Sequence, residues 1–181
     1  MDMEKDEQAL LTEKILHEFI KRRFLITQDV ETGSTEKGFL EKVFVLEKIS
    51  NTIKTKPKFN EILSKYFFGS EENSIMFVVK DIMKDWPLNW GRIVTVLTFF
   101  VELNKQAFFT RTKQVTDADI KTMTQIMRLE VFDNFLQSNE NSWDSFMEIF
   151  GEKKYPCLKM FIDCIKYSFL VIPMFTIFYF S

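Results

Sequence analysis

The stretch from Trp90 to Leu103 carries no charge between Arg92 and Glu102 and is apolar nearly all the way round. A helix with a single apolar stripe lies at a surface, whereas one that is apolar on every side has to be covered on every side. Roughly ten uncharged residues are too few to cross a bilayer, which takes about 20. This segment is therefore expected as the middle helix of a bundle, and the rest of the chain has to supply its cover.

The cover is legible as further helices. Leu11, Ile15, Phe19 and Ile20 recur at helical spacing between about Glu4 and Phe24. A polar stretch with two glycines, from Thr27 to Gly38, reads as a loop. Phe39, Val43, Leu46, Ser50 and Ile53 form the seam of a second helix to about Thr55, closed by Pro57 because a residue before proline avoids the α region. Phe59, Ile62, Leu63, Tyr66 and Phe67 make a short third helix ending at Gly69. Ile75, Val78, Val79, Ile82 and Met83 give the apolar face of a fourth, from about Asn73 to Trp86. After the central segment, Ile120, Met123, Met127, Val131 and Phe135 mark a helix from about Thr116 to Leu136, capped by Thr116 or Asp117. Asn141-Ser142-Trp143 opens a short helix containing Phe146, Ile149 and Phe150, and another follows Gly151. The expected fold is all-α, about eight helices around a central hydrophobic one. With 21 Phe against 5 Gly and 4 Pro, the composition also favours long packed helices over a turn-rich β fold.

Most chemistries find no support. A net charge of −2 and the lack of a basic stripe with interleaved aromatics argue against nucleic acid. Lys21-Arg22-Arg23 reads as a basic last turn that complements a helix dipole. The single His17 removes most nucleophile and general-base schemes, and Gly33 to Gly38 lacks the Lys and Ser/Thr of a phosphate loop. No secretory leader is recognised at the start, so Cys157 and Cys164 are expected to be reduced side chains of a cytosolic protein. No metal site, cofactor, small-molecule substrate or enzyme activity is expected.

The chemistry that stands out is at Asn89-Trp90-Gly91-Arg92. Asn89 suits an N-cap, and Trp90 can bury its ring against the returning chain. Gly91 costs a helix about 1 kcal/mol against Ala, and Arg92 faces the positive end of the dipole. Two locally unfavourable neighbours are explained together if a partner helix approaches closely and delivers a carboxylate. An internal pair between Arg92 and Asp85, with Gly91 merely tightly packed, accounts for the same residues, and both readings stay open on physics alone.

Asn89-Trp90-Gly91-Arg92-Ile93-Val94, preceded by Asp85, resembles the first homology region of the Bcl-2 family. Trp143-Asp144-Ser145-Phe146 resembles the second, and Leu46 to Ile53 a degenerate third. The order and spacing agree over roughly residues 7 to 166. Departures are Trp86-Pro87 after Asp85, Asn141-Ser142 in place of a glycine pair, and Ser50-Asn51 in place of Gly-Asp. The resemblance implies a Bcl-2-like helical bundle over residues 1–166 whose surface groove takes an amphipathic partner helix, a binding mode for which the family is a standard example. It places Arg92 on the partner's carboxylate, Asn89 beside it as a further hydrogen bond, and Gly91 at the close approach. Ile49, Ile53, Val78, Val79, Ile82, Thr95 and Phe99 are the expected apolar contacts. Asn51 cannot supply the charge by which death-promoting members engage a guardian's groove. The expected role is thus pro-survival: sequestering pro-apoptotic relatives and preventing permeabilisation of the outer mitochondrial membrane. The alternatives are a signalling adaptor of the same fold without death-ligand binding, and a membrane-permeabilising effector.

Residues 167–181 form a hydrophobic tail. Its uncharged run from Tyr167 to Phe180 spans about 21 Å as a helix, short of the roughly 30 Å hydrocarbon core. Tail association with the mitochondrial outer membrane or endoplasmic reticulum is expected of an otherwise cytoplasmic chain, with packing on the domain as the other outcome. Richness in Phe, Ile, Lys and Asn suits an AT-rich genome such as that of some large DNA viruses.

Overall fold

A computed structural model describes residues 2–24, 37–67, 89–112, 114–136 and 142–151 of the 181. Within these the architecture is all-helical. The helices expected at 73–86 and after Gly151, Cys157 and Cys164, and the 167–181 tail lie outside the described residues.

Helix α1 (Asp2–Phe24) buries Ile15, Leu16, Phe19 and Ile20. Helix α2 (Lys37–Lys54) buries Val43, Val45, Leu46, Ile49, Ser50 and Ile53. Pro57 both ends that helix and opens α3 (Pro57–Phe67), where its missing N–H and fixed φ suit the first helical position. The Asn60 side chain donates to the Lys54 carbonyl at 3.1 Å and ties α3 to the end of α2. Phe59, Ile62 and Leu63 then turn inward.

Helix α4 (Trp90–Thr110) is the central element, and every residue from Ile93 to Val101 is buried. Two threonines sit inside this apolar surround without an orphaned hydroxyl. Thr95 Oγ1 donates to the Gly91 carbonyl at 2.8 Å, and Thr98 Oγ1 to that of Val94 at 2.7 Å. Back-bonding of this kind is how a helix buries a hydroxyl without leaving it unsatisfied. Helices α1, α2 and α3 all pack on α4.

Helix α5 (Asp117–Met127) starts at Thr116, which accepts from the Asp119 N–H while Asp119 reaches back to the Thr116 N–H. Thr116, and not Asp117, is therefore the cap. The single helix expected from Thr116 to Leu136 instead passes through a π segment, Arg128–Phe132, before resuming as α6 (Asp133–Leu136). There the Asp133 N–H bonds the Arg128 carbonyl, five residues back. The wide turn keeps Val131, Phe132 and Phe135 in the core while Leu129 and Glu130 face solvent. Sequence periodicity gives little warning of one inserted residue.

Helix α7 (Trp143–Phe150) is capped by Ser142, whose hydroxyl accepts from the Ser145 N–H at 3.1 Å. It ends at Gly151, where a Cβ would stand 2.5 Å from the Met147 carbonyl oxygen, too close for any other residue without a shift.

Candidate functional site

The site is the first turn of α4, and it is assembled from both ends of the chain. Asn89 takes an extended conformation, φ −140° and ψ 163°, and its Oδ1 accepts from the Arg92 N–H at 3.0 Å. The Asn89 carbonyl accepts from the Ile93 N–H at 3.1 Å. This is the N-cap expected from the sequence, and it fixes the direction in which the following residues leave the helix start.

Trp90 turns inward. Its ring lies 4.9 Å from Phe135, 5.0 Å from Trp143 and 5.0 Å from Phe146, centroid to centroid. Its indole N–H donates to Ser145 Oγ at 3.0 Å. Trp143 in turn stacks on Phe132 at 5.7 Å and donates through Nε1 to Thr12 Oγ1 at 2.9 Å. The Thr12 hydroxyl itself donates to the Gln8 carbonyl at 2.7 Å. Ser145 is the hinge-pin of this arrangement, since its hydroxyl accepts from both Trp90 and the Ser142 N–H while donating to the Ser142 carbonyl. The Trp90 and Trp143 segments, 53 residues apart, thus share one aromatic box with every indole N–H satisfied.

With Trp90 committed to the core, Asn89 is exposed and Gly91 and Arg92 are half-buried at the surface. The first turn of α4 contains no acidic residue. Arg92 is already engaged within the chain.

Four of the expected apolar contacts are buried in the chain itself. Ile49, Ile53, Thr95 and Phe99 expose 4%, 0%, 7% and 2% of their surface. Phe99 packs edge-on against Phe59 of α3, with centroids 6.0 Å apart. The structure brings these four into one core with α4, while Arg92, Gly91 and Asn89 lie at its rim. Val78, Val79 and Ile82 lie outside the described residues, as does Asp85.

One charged cluster escaped the sequence reading. Arg23 of α1 donates to Asn51 Oδ1 of α2 at 2.6 Å and to Glu102 Oε1 of α4 at 2.6 Å. Lys54 reaches the same Glu102 oxygen at 3.0 Å. Burial pushes the Glu102 carboxyl upward, but hydrogen bonds from Lys54 and Arg23, with their charges, outweigh it and hold it below the ordinary carboxylate value. Lys105, one turn further along, is held below the usual lysine range mainly by burial. The sequence alone assigns Arg23 to the helix dipole. The available signal was Glu102, a carboxylate directly following the uncharged run Ile93–Val101, which requires a counter-charge from a neighbour. Among the described residues no cluster of His, Cys, Asp or Glu could hold a metal ion.

No family model matches this chain, and no curated protein matches it in sequence.

Proposed function

We propose that this protein is a helix-binding inhibitor of apoptosis, which captures the amphipathic death helix of pro-apoptotic Bcl-2 family proteins beside the first turn of α4. The observation that carries the reading is the division of labour in Asn89-Trp90-Gly91-Arg92. Trp90 locks the helix start into the core, and Asn89 caps it. Gly91 and Arg92 are left together at the surface, with no acid in that turn. A backbone bare of side chain next to a guanidinium is what a close-approaching helix with one aspartate would use. Captured in this way, the partner could not permeabilise the outer mitochondrial membrane. Asn51 supports a guardian rather than a ligand role for this chain. It carries no charge, it is held by Arg23, and the apolar seam of its helix is already buried.

The burial of Ile49, Ile53, Thr95 and Phe99 is the specific observation favouring the second reading, a signalling adaptor that retains the fold without the groove. Gly91→Glu separates the two. The comparison is made with a variant whose helical content and melting point match the parent's, the Thr95 bond to the Gly91 carbonyl being independent of the side chain. Its affinity for death-helix peptides is expected to drop at least roughly tenfold, from lost approach and an added like charge facing the partner's aspartate. Full binding by a folded Gly91→Glu variant would contradict the proposal.

A further inference from the structure

Trp90, Gly91 and Arg92 are each tied by a side-chain hydrogen bond. The Arg92 N–H goes to Asn89 Oδ1 at 3.0 Å, and the Gly91 carbonyl accepts from Thr95 Oγ1 at 2.8 Å. Both of these ties are local to α4 and its cap, and they move with the helix. The third, from the Trp90 indole N–H to Ser145 Oγ at 3.0 Å, crosses to α7. It is the one of the three that orients the turn against the rest of the bundle.

The Ser145 hydroxyl is fully used. It donates to the Ser142 carbonyl at 2.8 Å and accepts from the Ser142 N–H and from Trp90, both at 3.0 Å. One proton and two lone pairs allow three such bonds and no more. The bond to Trp90 is additional to the cap of α7, in which the Ser142 hydroxyl accepts from the Ser145 N–H at 3.1 Å. Phe135, Trp143 and Phe146 fix where the Trp90 ring lies, but their apolar surfaces do not choose between one rotation of the indole and its flip. The bond to Ser145 does. Without that acceptor, a buried N–H on a side chain 3% exposed is left unsatisfied, and the ring has to turn to find another. Trp90 is the first residue of α4, so the turn that carries Gly91 and Arg92 shifts with it.

We propose that Ser145 is a positioning residue for the partner-helix site: it acts through Trp90 to aim Gly91 and Arg92, without itself touching the partner. This rests on the reading of that turn as the place where a partner helix docks. A charge-assisted hydrogen bond weakens steeply as donor and acceptor fall out of line. Loss of Ser145 therefore falls on recognition of the partner's aspartate more than on the apolar part of binding.

The test uses the full chain in three variants. Ser145→Ala removes the acceptor; Ser145 is half-buried and small, so no large cavity opens and the variant is expected to fold. Ser145→Thr keeps the hydroxyl. Ser142→Ala removes the cap of α7 but leaves the Ser142 backbone groups that Ser145 meets. Each is titrated with an amphipathic death-helix peptide and with its aspartate-to-asparagine control, and amide exchange is followed by NMR. Expected for Ser145→Ala is a fall of at least roughly fivefold in the preference for the aspartate peptide. The amides of Arg92 and Ile93, which Asn89 closes, should exchange roughly tenfold faster, beyond any change at Val96 to Val101. Ser145→Thr should restore both. Ser142→Ala should lower the melting point and leave both at the parent's values. An unchanged preference in a folded Ser145→Ala chain would overturn the proposal. So would an equal loss in Ser142→Ala, which would assign the effect to the cap. No binding of either peptide by the folded parent would instead overturn the helix-capture reading beneath it, a failure distinct from binding whose aspartate preference ignores Ser145.

Discussion

Trp143→Ala is expected to destabilise the protein by about 3–5 kcal/mol, the cost of removing a buried indole from a core that cannot collapse to fill the space. Trp143 is 1% exposed and its ring touches Trp90, Phe132 and Phe146. Those rings are held by three different helical segments, so relaxation of one opens a gap against another. Trp143→Phe should lose less, about 1–2 kcal/mol. It keeps most of the volume but forfeits the bond to Thr12, whose own proton remains satisfied by the Gln8 carbonyl. Against a typical total of about 5–15 kcal/mol, the alanine variant should unfold at a much lower urea midpoint. A loss below about 1 kcal/mol for Trp143→Ala would show that the aromatic box does not hold α7 against α4 and α1.

The second large effect is at Glu102. Its side chain is 12% exposed, and its partner Arg23 is 10% exposed. Breaking a buried pair by removing one member costs about 3–5 kcal/mol, because the remaining charge is left without compensation. Glu102→Gln is expected near or below the lower end of that range, since Lys54 can relax toward water. The pH dependence gives a check of sign. The folded Glu102 carboxyl titrates below its ordinary value, so its contribution is fully present above that value. It is lost as pH falls through the lowered, folded value, because the unfolded chain takes up the proton first. The stability gap between parent and Glu102→Gln should therefore be widest near neutrality and shrink as pH drops below about 4. Urea titrations of both chains at about pH 7 and about pH 3.5 measure it, and a gap that widens on acidification would reverse the assignment.

How much of this was legible in the sequence depended on whether the information was local. The burial of Ile93 to Val101 followed from the absence of charge on any face of the segment, and the cap at Asn89 from a side chain that bonds within three residues. The π segment was not legible, because the apolar pattern of Met127, Val131 and Phe135 fits an unbroken helix equally well. Nor was the Arg23–Asn51–Glu102 cluster, which joins residues 28 and 79 positions apart. At the candidate site, the local part was readable: Asn89 capping and Trp90 buried. The degree of cover over Ile49, Ile53, Thr95 and Phe99 was not, because it depends on tertiary packing such as the seating of Phe59 of α3 on Phe99.

That cover shapes what binding must look like. On the proposed function, a partner helix would meet Arg92 and Gly91 first and would reach the apolar residues only as the packing around them adjusts. The guanidinium contact should then weigh heavily in the affinity. The most direct test is calorimetric titration of the chain, and of Arg92→Ala, with a panel of amphipathic death-helix peptides, each beside a control with its aspartate replaced by asparagine. Tight binding to some peptides, weakened by more than about 1.5 kcal/mol by Arg92→Ala and by a similar amount in the asparagine controls, is the expected result for a charge-assisted contact. No heat of binding from a folded chain, or binding indifferent to both changes, would contradict helix capture at the first turn of α4.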